Sequence, residues 1–160
     1  MYEVYGGMLK EDIVCTIDGK KVVCPPESSI LEAARSAGIE IPTLCYLKGL
    51  TPTGACGICA VEIEEEGGRI IRRSCRVRAK DGMVIYTNTP AVDAYRKERL
   101  REILERHPND CLTCQKTGGN CQLQNVSYLF GINPEKRNVP GRGIDNSSPA
   151  MVRDMDKCIA

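Results

Sequence analysis

The sequence predicts an α+β domain, a mixed sheet wrapped over one helix, followed by a small helical segment. Three observations predict it. Residues 12–24 alternate apolar and polar around Asp18-Gly19, a strong two-residue hairpin signal. A helical apolar pattern at Ile30, Leu31, Ala34 and Ala37 then interrupts a series of short strand patterns. From Pro90 the apolar period becomes helical, and after a break at Pro108 it returns in a second helix closed by Gly131. Strand, strand, helix and further strands is the order of a layered α+β unit.

The elements follow in order. Ile13, Ile17, Val22 and Val23 flank the turn at Asp18-Gly19, giving two antiparallel strands in which Ile17 stands opposite Lys20. Ser28 or Ser29 caps the next helix, and Gly38 terminates it. Residues 41–57 lack either period, so they form a long loop that needs something to order it. Ile58–Ile63 reads as a strand, Glu64–Gly68 as a charged turn, Arg69–Ser74 as the returning strand and Met83–Thr87 as a short third partner. The α+β unit is expected to span 12–89, after an N-terminal extension over 1–11. Val92, Leu100, Ile103 and Leu104 mark the apolar side of a helix, with Arg96, Lys97, Glu98, Arg101 and Glu102 on its solvated side. His107 falls four residues after Ile103, on the apolar side, and Pro108 ends the helix. A turn over 116–120 leads to a second helix through Leu123, Val126 and Phe130, and Gly131 closes the helical segment 90–131. Residues 132–160, rich in Asn, Pro, Gly and Ser, read as an extended connector.

Composition narrows the function. One Phe, no Trp and 160 residues allow a modest aliphatic core and no large enzyme pocket. A net charge of +1, without a basic stripe interleaved with aromatics, disfavours nucleic acid. No run approaches the ~20 apolar residues of a membrane span, and Met1–Asp12 does not resemble a secretory signal. Ten cysteines in that context indicate a reducing, cytoplasmic compartment in which thiols serve metals.

Eight of the donors fall into two sets. Cys45-x10-Cys56-x2-Cys59-x15-Cys75 places three thiolates on one loop and a fourth far away, the plant-type pattern of a 2Fe-2S centre. The small residues of Thr53-Gly54-Ala55-Cys56-Gly57 let backbone N–H groups approach sulfur. His107-x3-Cys111-x2-Cys114-x6-Cys121 is compact; a 4Fe-4S cubane needs four ligands, and the only His of the chain stands where a fourth thiol is missing. Neutral imidazole in place of thiolate should raise that cluster's potential. The alternative for both sets is a zinc-stabilised interaction module without a redox role.

These residues also carry a resemblance. Ile41-Pro42-Thr43-Leu44-Cys45-Tyr46-Leu47, Gly54-Ala55-Cys56-Gly57-Ile58-Cys59, His107-Pro108-Asn109-Asp110-Cys111-Leu112-Thr113-Cys114 and Cys121-Gln122-Leu123-Gln124 resemble the N-terminal part of the large iron-sulfur subunit of complex I. The same module is similar in multi-cluster iron-only hydrogenases, NAD-linked formate dehydrogenases and the diaphorase small subunit of bidirectional hydrogenases. The resemblance implies a β-grasp ferredoxin domain with a 2Fe-2S cluster, then a helical segment holding a His-ligated 4Fe-4S cluster. It implies an electron relay between a flavin or NAD(P)H partner and a catalytic site elsewhere, in a hetero-oligomeric complex, with no catalytic residue and no membrane contact on this chain. Three departures stand out: six residues rather than five separate Cys114 from Cys121, position 57 is Gly where many members carry a larger and often basic residue, and residues 153–160 look like the entry to a further ferredoxin domain. The chain is therefore expected to be a fragment or a shortened subunit.

Cys15 and Cys24 are diagonal on the first hairpin and read as buried thiols rather than a disulfide. Arg72, Arg73, Arg76 and Arg78 surround Cys75 and read first as a solvated edge, second as a docking patch. Cys158 would ligate a cluster in a complete subunit.

Overall fold

The computed structural model describes residues 12–116, 118–136 and 141–158. The extension expected over 1–11 lies outside them, as do residue 117 of the turn, 137–140 of the connector and 159–160. Strands β1 (Ile13–Ile17) and β2 (Lys20–Cys24) pair antiparallel with Ile17 opposite Lys20. Asp18 and Gly19 have φ of 48° and 80°, the left-handed pair that matches the twist of a two-residue hairpin. That register sets Cys15, Ile17, Val22 and Cys24 on one buried face. Burial pushes the thiol pKa of both cysteines up, and neither forms a disulfide.

Helix α1 (Ile30–Ser36) starts at a capping box: Ser29 Oγ accepts from Glu32 N, and the Glu32 carboxylate accepts from Ser29 N at 3.0 Å. Its Ile30, Leu31, Ala33 and Ala34 pack on the sheet. Strands β3 (Ala60–Glu65) and β4 (Gly68–Arg73) form a second antiparallel pair. β3 begins two residues later than the alternation predicts, because Ala60 N donates to Gly57 O and keeps Ile58 and Cys59 in a turn. It also runs on to Glu65, since pairing with Gly68 continues the ladder through the charged residues. β5 (Val84–Tyr86) lies between β1 and β3, parallel to the first and antiparallel to the second. The order β2-β1-β5-β3-β4 is a mixed sheet, in keeping with the expected α+β ferredoxin-like architecture.

Helix α2 (Pro90–Arg106) carries Pro at its first position and Thr89 as its cap, whose hydroxyl accepts from Val92 N. It crosses β3 on the face opposite α1. Alternation along β3 sends Val61 and Ile63 into the α1 core and leaves Ala60 and Glu62, also buried, on the α2 side. One residue departs from the amphipathic pattern: Arg96, expected to be solvated, is 5 % exposed and donates to Ala60 O at 2.6 Å. Helical periodicity misses it because the first residue of β3 offers a carbonyl to a residue on the flank of the apolar stripe. Leu100, Ile103 and Leu104 join Leu123 and Val126 of α3 (Gln122–Leu129) with Leu44, Cys56 and Ile58 of the long loop in a second core.

The last described region differs from the extended connector expected over 132–160. Strands β6 (Ile144–Ser148) and β7 (Met151–Asp154) form a small hairpin. Asp145 holds it by accepting from Ser147 N and Oγ and pairing with Arg153. Polar contacts of this kind leave no apolar period for the sequence to show.

Candidate metal centres

The long loop 41–59 and the turn after β4 bring Cys45, Cys56, Cys59 and Cys75 into one neighbourhood. The Cys75 thiol is pushed up to about 12, first by burial and then by Cys59, Cys45 and Cys56 around it. Cys56, Cys59 and Cys75 are 1 %, 2 % and 3 % exposed, and Cys45 is half-buried. Backbone donors aim into the group. Burial opposes ionisation of Cys45, yet N–H groups of Cys56 and Ala55, with the Cys56 thiol and the Thr53 hydroxyl, outweigh it and hold Cys45 below the ordinary thiol value. Cys56 is raised by burial against N–H groups of Ile58, Cys45 and Leu44. Gly57 lets the Arg99 side chain lie against this loop: its φ is +72°, and a Cβ there would stand 3.1 Å from Arg99. Four thiols gathered this closely, three of them buried, cannot all ionise alone, whereas iron would replace their protons and leave the N–H groups to stabilise sulfur charge. The donor set therefore fits an all-thiolate iron-sulfur cluster.

The second set is built differently. His107 does not continue α2, as its periodicity predicts; it is the C-cap, extended at φ −96° and ψ 140°. Pro108 is the cause, since proline drives the preceding residue out of the helical region. His107, Cys111, Cys114 and Cys121 line one cavity of about 880 Å³, with Ile144, Val152 and Lys157 from the C-terminal hairpin region on its wall. The three cysteines are half-buried. Cys111 is raised by burial first, then by Cys121 and Cys114 nearby. Among the described residues, no three His, Cys, Asp or Glu groups close around one point in the manner of a single-ion site.

The histidine has a fixed partner. Asn109, 5 % exposed with φ +54°, donates from Nδ2 to Leu104 O and Glu135 O, both at 2.9 Å. Its Oδ1 is thereby turned to His107 Nδ1, 2.9 Å away. Asn109 N also points at Nδ1, at 3.1 Å, a contact suited to the opposite tautomer. With its amide nitrogen committed to the two carbonyls, Asn109 can accept at Oδ1 from Nδ1–H in the tautomer whose Nε2 lone pair would be free for a metal.

Sequence reasoning missed Asn109, Ser74, Arg96 and Arg99. Ser74 is fully buried and donates from N and Oγ to Cys59 O, at 3.0 and 2.7 Å, fastening Cys75 to the loop. Its position beside Cys75 was the available signal; for Asn109 it was the Pro108-Asn109 pair. Arg72, Arg73, Arg76 and Arg78 are exposed, with Arg76 donating to Pro52 O and Arg78 pairing with Glu27. Cys158 is half-buried near the chain's end.

Comparison with known proteins follows the same division. The model of the 2Fe-2S iron-sulfur cluster binding domain matches residues 10–90. That of the NADH-ubiquinone oxidoreductase-G iron-sulfur binding region matches 96–136. NADP-reducing hydrogenase subunit HndD of Solidesulfovibrio fructosivorans is 40% identical over 158 residues, covering 92% of this chain and 26% of that protein. The NADH-ubiquinone oxidoreductase 75 kDa subunit of Reclinomonas americana is 35% identical over 145 residues, covering 89% and 20%. A crystal structure of NAD+-reducing [NiFe]-hydrogenase in the H2-reduced state superposes with a TM-score of 0.78 at 30% identity, over 92% of this chain and 62% of that one. The chain thus spans about a quarter of the length of the first of these curated relatives and a fifth of the second.

Proposed function

We propose, on the premise that this chain belongs to the family of 2Fe-2S iron-sulfur cluster binding domains and continues into an NADH-ubiquinone oxidoreductase-G iron-sulfur region, that it relays single electrons within a larger NAD(P)-linked oxidoreductase. Cys45, Cys56, Cys59 and Cys75 hold the 2Fe-2S cluster, and His107, Cys111, Cys114 and Cys121 the 4Fe-4S cluster. The electron donor is a flavin or NAD(P)H partner, and the acceptor a catalytic site on another domain or subunit. The chain divides into the ferredoxin-like unit 12–89, the helical unit 90–131 and a connector from 132 that includes the β6–β7 hairpin. Ten cysteines, none in a disulfide, support work in the reducing cytoplasm. Among the described residues no helix is long and apolar enough to cross a membrane.

The convergence of four thiols in a pocket lined by backbone donors, beside a cavity that gathers His107 with three more, carries this reading. The clusters supply one-electron redox chemistry when bound. The polypeptide's part is to exclude water from Cys56, Cys59 and Cys75, to direct N–H groups at the sulfur atoms of Cys45 and Cys56, and to present His107 through Nε2 by holding Nδ1–H on Asn109.

Anaerobic purification followed by iron, acid-labile sulfide and electron paramagnetic resonance measurements tests it. Iron with matching sulfide and two distinct signals on reduction are expected. A colourless protein holding only zinc would overturn it. The His107→Cys variant should keep the second cluster and lower its potential, because thiolate adds negative charge. An unchanged potential removes His107 from the ligand set.

A further inference from the structure

Helix α2 leads by sequence into the second ligand set, yet its middle reaches the first. Arg96 donates from Nη2 to the carbonyl of Ala60, the residue after Cys59, and its Nε has no hydrogen-bond partner. One turn on, Arg99 Nη2 lies 3.4 Å from Ala55 O, the residue before Cys56, and its stem crosses Gly57. Arg99 Nε is likewise buried without a partner. Arginine is almost never buried unless paired, because a guanidinium that has lost its hydration needs an opposite charge or acceptors to replace it. Arg99 is paired on one side, with Glu102. Arg96 has no such ion pair among the described residues; Asp93 and Asp18 act on it only at a distance, behind Cys59. Two guanidinium groups therefore face the loop of the first ligand set with donors to spare, and the anion that matches them is the cluster and its thiolates.

We propose that Arg96 and Arg99 are the internal counter-charges of the first cluster, positioned by α2 to stabilise its reduced state and raise its potential. The inference rests on the ligand set proposed above. One electron enters from the donor and leaves to the acceptor; the charge of the site falls by one in between, and both arginines stay protonated throughout. The same helix ends on His107, eleven residues or about 16 Å beyond Arg96 along its axis. A single rigid element thus fixes the surroundings of the first centre and a ligand of the second.

Redox titration of the full chain, followed by electron paramagnetic resonance, decides the matter. Arg96→Gln should lower the 2Fe-2S midpoint by on the order of tenfold in the reduction constant, ~59 mV for one electron. Arg96→Lys, which keeps the charge, should restore most of it. Arg99→Gln should shift it the same way and less, since Glu102 already offsets that charge, while the 4Fe-4S signal stays in place in every variant. Arg101→Gln, on the exposed side of α2, should move neither. An unchanged midpoint in Arg96→Gln, or an equal shift in Arg101→Gln, overturns the assignment. If Arg96→Gln does not retain iron, Arg99→Gln decides alone: a downward shift supports the counter-charge role and none refutes it. Wild-type protein without iron and sulfide would instead defeat the ligand assignment itself, a failure read before any variant is made.

Discussion

The two candidate centres differ in who supplies their order. Around the first, Cys56, Cys59 and Cys75 are almost inaccessible, and Cys59 and Cys75 belong to the same core as β1, β2 and α1. Ser74 joins its two halves through Cys59 O, and the strands on either side continue the ladder. Around the second, every candidate ligand is half-buried, and residues 107–121 contain no helix or strand among those described. The first pocket is set into the core of the sheet; the second is a loop folded back on a cavity, with Asn109 as its buried polar anchor. A ligand loop without helix or strand of its own draws its stability from the metal it binds.

The largest effect should come from removing iron anaerobically with a chelator. Amide exchange over 107–121 should accelerate on the order of a hundredfold, as a locally unfolding segment does, while β1–β5 remain protected. Equal loss of protection in the sheet would erase the contrast. Next comes Asn109→Ala, which strands the carbonyls of Leu104 and Glu135 and releases His107. A cost of about 2–3 kcal/mol is expected, read by denaturant titration, together with loss of sulfide from the second cluster alone. Ser74→Ala should cost about 1 kcal/mol, the worth of one buried hydrogen bond, and leave the second cluster's signal intact.

What the sequence made legible follows from the same contrast. Asp18-Gly19, the serine pair Ser28-Ser29 and Pro90 are local chemistries, so the hairpin and the starts of α1 and α2 could be read from neighbours in the chain. The convergence of Cys45, Cys56, Cys59 and Cys75 was equally legible, because a loop of three cysteines and one remote partner is itself a statement of geometry. Arg96 was not: its place depends on the Ala60 carbonyl, 36 residues away in sequence. Asn109 depends on Glu135, 26 residues on. Nor was the β6–β7 hairpin, whose strands are mostly exposed and held by Asp145 rather than by an apolar face. Long-range polar contacts leave no periodicity behind.

The smallest effect sharpens the comparison at the rim of the second cavity, where Ile144 and Val152 of that hairpin form part of the wall. Hydrogen bonds from the Ser147 hydroxyl and N–H, and then the Arg153 guanidinium, hold the Asp145 carboxyl at about 2, below its ordinary 3.8. A depressed carboxyl stabilises the folded hairpin fully above the unfolded value and loses that contribution as pH falls toward the folded one. The hairpin should therefore keep its Ser147 amide shift down to pH near 4 and lose it between there and about 2. Asp145→Asn should flatten that acid step in the nuclear magnetic resonance titration. At neutral pH the sheet and the first centre should be unaffected, because the wall that Asp145 supports touches the second cavity and not the first.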